Sequence, residues 1–443
     1  MFALIPRRLP AVLPGLLAAL VGVSAACSPA APAAAPTTAP AAPAAKPTTA
    51  APGSPAPAAS AAASPSAGIA ASPAAKPSAS PSVLASVVPS PSPAAAAQPV
   101  AATTTNLKGV CPDNIVLQTN WWPEPDHGLF YQLIGPNGTI DPAKNTYSGP
   151  LGRTGVNVEV RAGGPAIGFQ TVTSQMYSDD SILLGMVATD EAIGASANQP
   201  TRGVLAWYDK NPQIFMWGNP AWNFQNVSEV NAQGTTVLAF EGAAYVDVLE
   251  GKGVLNKNLV DTSYTGDPSR FVAADGNIVQ QGFVTAEPYI YEHEVNGWMK
   301  PVKYLLLDKE VPIYQDAVAI RDDKLASSRA CLQQLVPLMQ RAAVEYVHNP
   351  GPINAMLVDY TARIKGGTQV SAAGAADAVQ KMTSLGIVAN GTDGVYGSFD
   401  AARVQGLIGD FGPVFQSRGK APKANLQPTD IIDNEFLDKS VKL

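Results

Sequence analysis

Apolar residues beyond about residue 105 fall into short runs that alternate with segments of helical periodicity. We predict buried strands, each followed by a loop or the start of a helix, at NIVLQTN, VNVEVRA, SILLGMVA and GVLAWY. Farther along, a strand at TTVLAF leads into a helix at EGAAYVDVLEGKGV, QQGFVTAEPYIYEHEV passes from strand to loop, and YLLLDKEVPIYQDAVAIRDDKL gives two strands around a proline. Strands that alternate with helices, with little hairpin chemistry between them, predict an α/β architecture with mostly parallel sheets.

The last third of the chain has helical periodicity. We predict helices at ASSRACLQQLVPLMQRAAVEYVHNP, AADAVQKMTSLGIV and SFDAARVQGLIGDFG. The patterned region is roughly 340 residues long, which exceeds a comfortable single core and predicts two lobes.

The first 27 residues differ in composition from the rest of the chain. Arg7 and Arg8 precede a modest apolar stretch and then small residues, which is typical of a secretory signal peptide. Cleavage after SAA would leave Cys27 first, and this end resembles a bacterial lipobox, although Ser24 stands where a leucine-type residue is usual. We expect Cys27 to carry a lipid anchor; the alternative is ordinary secretion without a lipid.

Residues 28–104 are almost entirely Ala, Pro, Ser and Thr. The segment has no aromatic or acidic residue, and Lys46 and Lys76 are its only charges. Such a segment cannot bury enough apolar surface to offset its chain entropy, so we predict a disordered stalk that its prolines stiffen.

Charge and cysteine content exclude several classes of function. The chain has a net charge of -6 and no long basic run, which argues against a nucleic-acid partner. No apolar run after the signal approaches the roughly 18 residues that a membrane span needs. Cys111 and Cys331 remain in the patterned region, the three histidines are far apart, and no CxxC or HExxH spacing occurs, so we expect no metal site.

A dense aromatic and polar cluster, TNWWPEPDHGLFYQL, directly follows the first predicted strand. Ligands of open α/β sheets bind outside the carboxyl ends of the strands, which favours a ligand site at this cluster over a piece of core.

Five segments in order resemble substrate-binding proteins of bacterial ABC importers: LQTNWWPEPDHGLFYQ, GVNVEVRAGGPAIG, VATDEAI, VLAWYDKNPQIFM and FVTAEPYIYEHEV. The resemblance runs from about residue 115 to 325, and its branch is that of receptors for thiamine-pyrimidine precursors and riboflavin, allied to sulfonate, taurine and nitrate receptors. It implies a periplasmic-binding-protein fold of the second type: two α/β lobes joined by two crossover strands, with the ligand in the cleft.

The resemblance also implies a division of the chain. One lobe would comprise residues 105–210 and 313–443 and the other residues 211–312, with hinges near YDKNP and VPIYQDA. Cys111 and Cys331 would then share a lobe, where a disulfide between them is possible. The chain departs from its relatives at about 135–153, where a segment rich in Gly, Pro and Asn is predicted to be a surface loop beside the cleft.

Candidate ligand contacts in the first lobe begin in the cluster. Adjacent side chains at a strand end point to opposite sides, so we expect one of Trp121 and Trp122 to pack and the other to offer a flat face to a heteroaromatic ring. Asp126 either caps the following helix or contacts the ligand. We expect His127 to bond to the ligand or to the opposite lobe, with idle surface exposure as the alternative.

The remaining candidates come from other strand ends and from the second lobe. Capping and ligand contact both remain open for Asp190, and a structural salt bridge and ligand contact both remain open for Glu287. Arg161, Arg202 and Arg270 would favour an anionic ligand only if they pointed inward. The full set of ligand-binding candidates outside the cluster is Thr189, Asp190, Tyr208, Glu241, Tyr245, Glu287, Tyr289 and Tyr314.

Taken together, the sequence predicts a monomeric, lipid-anchored, extracytoplasmic receptor that passes a small heteroaromatic solute to ABC permease subunits and needs no cofactor. The alternatives are a receptor for sulfonate, taurine or nitrate, or a surface sensor or adhesin of the same fold. We expect no enzyme, because the chain has no GxSxG, no hydrolase-like carboxylate pair and no Cys/His protease set. It also lacks the cysteine run of the related fungal thiamine-pyrimidine synthase.

Overall fold

The computed structural model describes residues 100–443. Cys27, the predicted signal peptide and all but the end of the predicted stalk therefore lie outside the described residues. Two mixed sheets and their helices make up the described part.

The strands are β1 Asn114–Gln118, β2 Thr139–Asp141, β3 Thr146–Pro150, β4 Asn157–Arg161, β5 Ile182–Met186, β6 Thr201–Leu205, β7 Gln213–Trp217, β8 Val237–Leu238, β9 Val260–Asp261, β10 Val279–Phe283, β11 Lys303–Leu306 and β12 Val318–Arg321. The α-helices are α1 Gly128–Ile134, α2 Val172–Ser178, α3 Thr189–Ala195, α4 Val227–Gln233, α5 Ala244–Gly251, α6 Ser269–Ala273, α7 Glu287–His293, α8 Asp322–His348, α9 Gly351–Arg363, α10 Ala372–Ser384 and α11 Ala401–Ser417.

The two sheets share one topology. The first has the order β2-β3-β4-β1-β5-β12-β6 and the second the order β11-β7-β10-β8-β9. In each sheet a central strand has parallel neighbours on both sides, β1 between β4 and β5 and β8 between β9 and β10. In each sheet the strand that follows a crossover, β12 or β7, lies second from an edge and pairs antiparallel with both of its neighbours. Two α/β lobes with two crossovers confirm the predicted fold class.

The expectation of mostly parallel sheets is wrong. Parallel pairing is confined to the neighbours of β1 and β8, and the crossover strands and the added edge strands pair antiparallel. A strand that enters a sheet from the other lobe arrives from the opposite end, so its direction is reversed.

Burial on both faces explains why β1 is an unbroken apolar run. Ile115 and Leu117 lie in the core formed with α1 and α8, whereas Val116 lies in the core formed with α2 and α3. Successive strand side chains point to opposite faces, so a strand covered on both faces has no polar alternation. The carboxyl end of β1 is thereby fixed between two packed layers.

The segment at 135–153 is not the predicted surface loop. It forms a hairpin in which β2 pairs with β3 and β3 pairs with β4, so it widens the first sheet at its edge. Tyr147 anchors the hairpin: its side chain is fully buried and its hydroxyl donates to the Gly135 carbonyl oxygen at 2.6 Å. The turn-rich composition concealed two short strands that only pairing with β4 stabilises.

The folded part begins a few residues before the predicted end of the stalk at 104. A short 3-10 helix, Val100–Ala102, contacts α1 and α8. Val100 is buried, and its amide donates to Glu345 Oε1 at 2.6 Å. In residues 100–443 no helix has both the length and the apolar character that crossing a membrane requires.

Cys111, just before β1, and Cys331 in α8 form a disulfide with their Cα atoms 4.8 Å apart. The bond ties the entry of the first sheet to the long helix that covers it.

The C-terminal helices contact both lobes. Helix α11 packs against α3 of the first lobe and α5 of the second, and α10 packs against α9 and α7. Two ion pairs join α11, or its C-cap, to α5 and its C-cap: Lys252 to Asp410 at 2.6 Å, and Arg418 to Asp247. The end of the chain therefore braces the second lobe on two sides.

A single arginine of α11 holds both crossovers. Arg403 donates to the Asp209 carbonyl oxygen of the first crossover at 2.6 Å and to the Pro312 and Ile313 carbonyl oxygens of the second at 2.5 and 2.8 Å. Its guanidinium also lies 3.7 Å from the ring centroid of Tyr314. Main-chain carbonyls that would otherwise lack a partner beside the hinge are satisfied by this side chain.

We expect Arg403→Ala to lower the free energy of unfolding by roughly 2–4 kcal/mol, because three partly buried hydrogen bonds from a charged donor are lost and carbonyls are left unpaired. Urea unfolding monitored by circular dichroism measures the change. Arg403→Lys should recover only part of it, since an ammonium cannot span three carbonyls in one plane. The matched control is Arg363→Ala, which removes an exposed i,i+4 pair with Asp359 and should cost no more than about 0.5 kcal/mol. Equal effects of the two alanine variants would contradict this role.

Candidate functional site

The carboxyl ends of β1, β4 and β5 in the first sheet and of β10 in the second open toward the gap between the lobes. The loop after β1, residues 119–127, carries the aromatic and acidic cluster. Glycines of the loop after β4 allow a close approach to it: a Cβ at Gly163 would lie 2.0 Å from the Thr119 carbonyl oxygen, and one at Gly164 would lie 2.4 Å from the Trp121 ring. The AGGPA segment therefore packs directly beneath Trp121.

The structure separates the two tryptophans. Trp122 is 7% exposed and belongs to the core of the first lobe. Trp121 is half-buried, and its ring lies 5.9 Å from that of Phe169 in the same lobe and 5.8 Å from that of Phe240 in the second. Trp121 is therefore the tryptophan that spans the gap between the lobes.

Asp126 connects three parts of the molecule. Its Oδ1 accepts hydrogen bonds from the Tyr208 hydroxyl of the first crossover at 2.6 Å and from the Thr285 hydroxyl of the second lobe at 2.7 Å. The alternative role, capping, is excluded, because the 3-10 helix Pro125–His127 and helix α1 have no side-chain cap bond. Asp126 is 4% exposed, and burial raises the pKa of its carboxyl.

Three more carboxyls face Asp126. Glu124 lies in the same loop, Asp316 follows the second crossover and Glu287 begins α7 of the second lobe. Burial, and then the neighbouring carboxylates, raise the pKa of Glu124 well above its usual range. Burial, with a contribution from Asp126, also raises the pKa of Asp316 and of Glu287 to about 7.

The acidic groups have few donors. Asn120 Nδ2 donates to Asp316 Oδ1 at 2.5 Å, and the Phe283 amide donates to Glu287 Oε2 at 2.7 Å. Asp316 also has a left-handed backbone, with φ of 57°, which is uncommon outside glycine and is concentrated at functional sites.

His127 is buried inside the first lobe rather than exposed at the cleft surface. Its Nε2 lies 2.9 Å from Asn120 Oδ1, and its Nδ1 has no hydrogen-bond partner among the described residues. Burial lowers the pKa of this imidazole to about 3, so the ring is neutral at physiological pH. Among the described residues His127 makes no hydrogen bond to the opposite lobe, and its side chain is not exposed at the surface. Its ring instead orients the side chain of Asn120.

A cavity of about 50 Å³ lies beside the acidic groups. Its walls come from the loop after β1, from α7 of the second lobe and from α10 of the C-terminal region, and they include Trp122, Glu124, Asp126, Thr285, Tyr289 and Gly374.

Several predicted contacts serve the framework. Thr189 Oγ1 accepts the Tyr314 amide at 3.0 Å. The Tyr314 hydroxyl accepts the Asp400 amide at 2.7 Å, which directs it away from the gap. The Tyr245 hydroxyl donates to Gln281 Oε1 at 3.1 Å within the core of the second lobe. A hydroxyl that is held in this way has one fewer bond to offer a ligand.

The other predicted residues are more open. Glu241 is exposed, and Tyr289 lines the cavity with its ring 4.5 Å from that of His293. Asp190 Oδ1 is a buried oxygen that lacks a hydrogen-bond partner in the described part of the chain, and burial raises the pKa of this carboxyl to about 6. Asp190 is not a side-chain cap of α3.

The three arginines that would have favoured an anion have other partners. Arg161 pairs with Glu159 and Asp179, each at 2.7 Å. Arg202 pairs with Asp322 at 2.5 Å, and Arg270 pairs with Asp261 at 2.5 Å.

Sequence reasoning missed several residues of the site: Asn120, Glu124, Phe169, Phe240, Thr285 and Asp316. Glu124 had a visible signal, because it shares the strand-end loop with Asp126. Phe169 had none: it is 56% exposed and has a left-handed φ of 59°, which only the fold shows. Within residues 100–443 no three His, Cys, Asp or Glu side chains are arranged to hold a metal ion.

No model of a known protein family matches this chain, and no curated protein matches it. Among solved structures, the chain is similar to the periplasmic aliphatic sulphonate binding protein SsuA from Escherichia coli, at 13% identity over 72% of this chain and 91% of that one, with a TM-score of 0.47. It is similar to the alkanesulfonate-binding protein SsuA from Xanthomonas axonopodis pv. citri bound to MOPS, at 11% identity over 73% and 99%, with a TM-score of 0.46. The desulfurization enzyme DSZB is similar at 12% identity over 73% and 97%, with a TM-score of 0.41. Likenesses this distant, which include both binding proteins and an enzyme, do not establish what this chain binds.

Proposed function

We propose that the protein is an extracytoplasmic substrate-binding protein of an ABC importer, which captures a small solute between its lobes. The observation that carries the proposal is the convergence on Asp126, where a side chain of one lobe accepts hydrogen bonds from a crossover and from the other lobe. A ligand in this position would touch both lobes at once.

Such a position couples binding to closure. A ligand favours the closed arrangement only by the difference in its free energy of binding to the closed and open states. Contacts to both lobes supply that difference, because opening the lobes removes one set of them. Because Arg403 holds the two crossovers together, we expect the lobes to open and close about these crossovers as a hinge.

The ligand we propose is a flat heteroaromatic nutrient of the thiamine-pyrimidine or riboflavin type. The half-buried Trp121 ring lies 5.9 Å from Phe169 and 5.8 Å from Phe240, and aromatic pairs contribute about 0.5–1.5 kcal/mol beyond their burial. A sulfonate, taurine or nitrate ligand would need cationic partners, whereas Arg161, Arg202 and Arg270 are all paired with carboxylates.

The proposed location rests on the N-terminal sequence. Cleavage before Cys27 and acylation of its amino end would tether the receptor beside its permease, with residues 28–104 as a spacer. Mass spectrometry of the mature N-terminus should find acylated Cys27. An unmodified N-terminus at another residue would refute the anchor and leave the cleft proposal intact.

Calorimetry of the full-length protein against thiamine pyrimidines, riboflavin, taurine and nitrate tests the function. We expect saturable heat with a heteroaromatic member and a rise in melting temperature with the same compound, because a ligand that binds only the folded state stabilises it. The absence of heat and of any thermal shift across a wider metabolite panel would exclude the transport function. Chemical turnover of a member would instead identify an enzyme, and binding of a polymer or surface would identify an adhesin.

Trp121→Ala should weaken the binding of the heteroaromatic ligand by about tenfold or more, because the stacking face and its buried area are both lost. Affinity is measured by calorimetry, and quenching of tryptophan fluorescence should fall in parallel. Met299→Ala, at a residue that is 52% exposed on the second lobe, is the control and should bind as the parent does. Unchanged affinity in Trp121→Ala would remove this residue from the site.

A further inference from the structure

We propose that the cleft selects an organic cation, that is, a small ligand that joins a flat ring to a protonated amine or another positively charged nitrogen. This inference rests on the proposed function, because it names the ligand class of the same cleft. It narrows the heteroaromatic class, since it excludes neutral and anionic members.

The charges of the cleft have one sign. Glu124 and Asp126 come from the loop after β1, Asp316 from the second crossover and Glu287 from the second lobe. Each is electrostatically coupled to at least one other, and no lysine or arginine is among the groups that shift their pKa values. Four carboxyls from three parts of the fold therefore face one another, and no lysine or arginine of residues 100–443 is paired with them.

Hydrogen bonding does not replace the missing positive charge. The donors that reach Asp126, Asp316 and Glu287 are neutral hydroxyl, amide and backbone groups. Glu124 Oε1 lies 3.7 Å from His127 Nε2, beyond hydrogen-bond distance, and that imidazole is neutral. Asp126 and Asp316 are buried, and Glu124 and Glu287 are half-buried, so carboxylates in this setting are stabilised either by protons or by a cation that enters between the lobes.

The cavity beside the carboxyls is large enough to hold the cationic group of such a ligand. At about 50 Å³ it accommodates a group of amino or methylammonium size, and Glu124, Asp126 and Thr285 form part of its wall. An amine has several N–H donors, which can engage carboxylates of both lobes in charge-assisted hydrogen bonds.

The aromatic side of the cleft suits the same ligand. The Trp121 ring lies 5.9 Å from that of Phe169 in the first lobe and 5.8 Å from that of Phe240 in the second, inclined to them by 57° and 63°. The left-handed backbone of Phe169 holds an exposed aromatic ring at this position at a cost in strain, which favours a role in binding over one in packing. Ring faces attract cations as well as flat rings.

Occupation by a cation should displace protons. Burial raises the pKa of Asp316 and of Glu287 to about 7, so at pH 5.5 both carboxyls hold protons with which a cation must compete, and at pH 8 both are ionised and attract it. The histidine and tyrosine side chains that face them from the surrounding elements are neutral in this range: His127, Tyr131, Tyr208, Tyr245, Tyr264, Tyr291 and Tyr346. Glu294, at the C-terminal end of α7, also lines the cavity and adds a carboxyl rather than a positive charge. Affinity for the cation should therefore rise with pH.

A pair of probes matched in shape tests the inference on the full-length protein. 4-Amino-5-aminomethyl-2-methylpyrimidine carries a protonated amine, and its 5-hydroxymethyl analogue is neutral at the same position. We expect the amine to bind at least about tenfold tighter at pH 8, with an advantage that shrinks toward pH 5.5. Calorimetry in buffers of different ionisation enthalpy should show proton release for the amine alone.

Variants locate the effect. Glu124→Gln and Glu287→Gln should each weaken the amine by about tenfold and leave the alcohol nearly unchanged, since each removes one charge at constant shape. Asp113→Asn is the matched control: it removes the same charge from an exposed residue at the amino end of β1, away from the cleft, and should not alter the affinity for either probe.

The outcomes separate this inference from the proposed function. If riboflavin, the alcohol or taurine binds as tightly as the amine, the selection of a cation is wrong and the transport receptor stands. If Ca²⁺ binds and Glu124→Gln abolishes its binding, the cluster holds an inorganic ion and the inference is again wrong. If no member of any panel binds, both the inference and the proposed function are wrong.

Discussion

The two lobes depend on one arginine that does not touch the cleft. Arg403 joins the carbonyl oxygens of both crossovers through a single planar group, and Tyr314 lies against its face. The separation of the crossovers sets the positions of β7 and β12, and these in turn set where Tyr208 and Asp316 meet the loop after β1. Helix α11, which lies outside the cleft and near the end of the chain, therefore fixes the geometry of the cleft.

The cleft itself is costly to maintain. Four carboxyls share a site with neutral donors, no basic side chain of the described residues pairs with them, and Asp316 among them has a left-handed backbone. A domain selected for stability alone would replace such a group with apolar side chains. This unfavourable free energy is concentrated where the lobes meet, which is where a ligand must be recognised. Local rules that fail at one place while the rest of the fold obeys them are typical of functional sites.

Local pattern was enough to predict β1, β4, β5 and the helices α8, α10 and α11, because their apolar residues are contiguous or periodic, whereas α9 was not predicted. It failed at β2 and β3, whose short strands depend on pairing with β4 rather than on their own composition. The site divides in the same way. Asp126 and Trp121 were found because they follow a predicted strand, whereas Thr285 reaches Asp126 across 159 positions of sequence and carries no local signal.

The ion pairs between the C-terminal region and α5 make the association of the lobes depend on ionic strength. Lys252 with Asp410 and Arg418 with Asp247 join the lobes; the side chains of Lys252, Asp410 and Arg418 are 36–43% exposed, and that of Asp247 is 10% exposed. Attraction between accessible charges is screened by dissolved ions, with a Debye length of about 8 Å at physiological ionic strength. The resistance of the lobes to separation therefore contains a part that the surrounding electrolyte sets. The lobes are therefore held together more firmly in a dilute solution than in a concentrated salt solution.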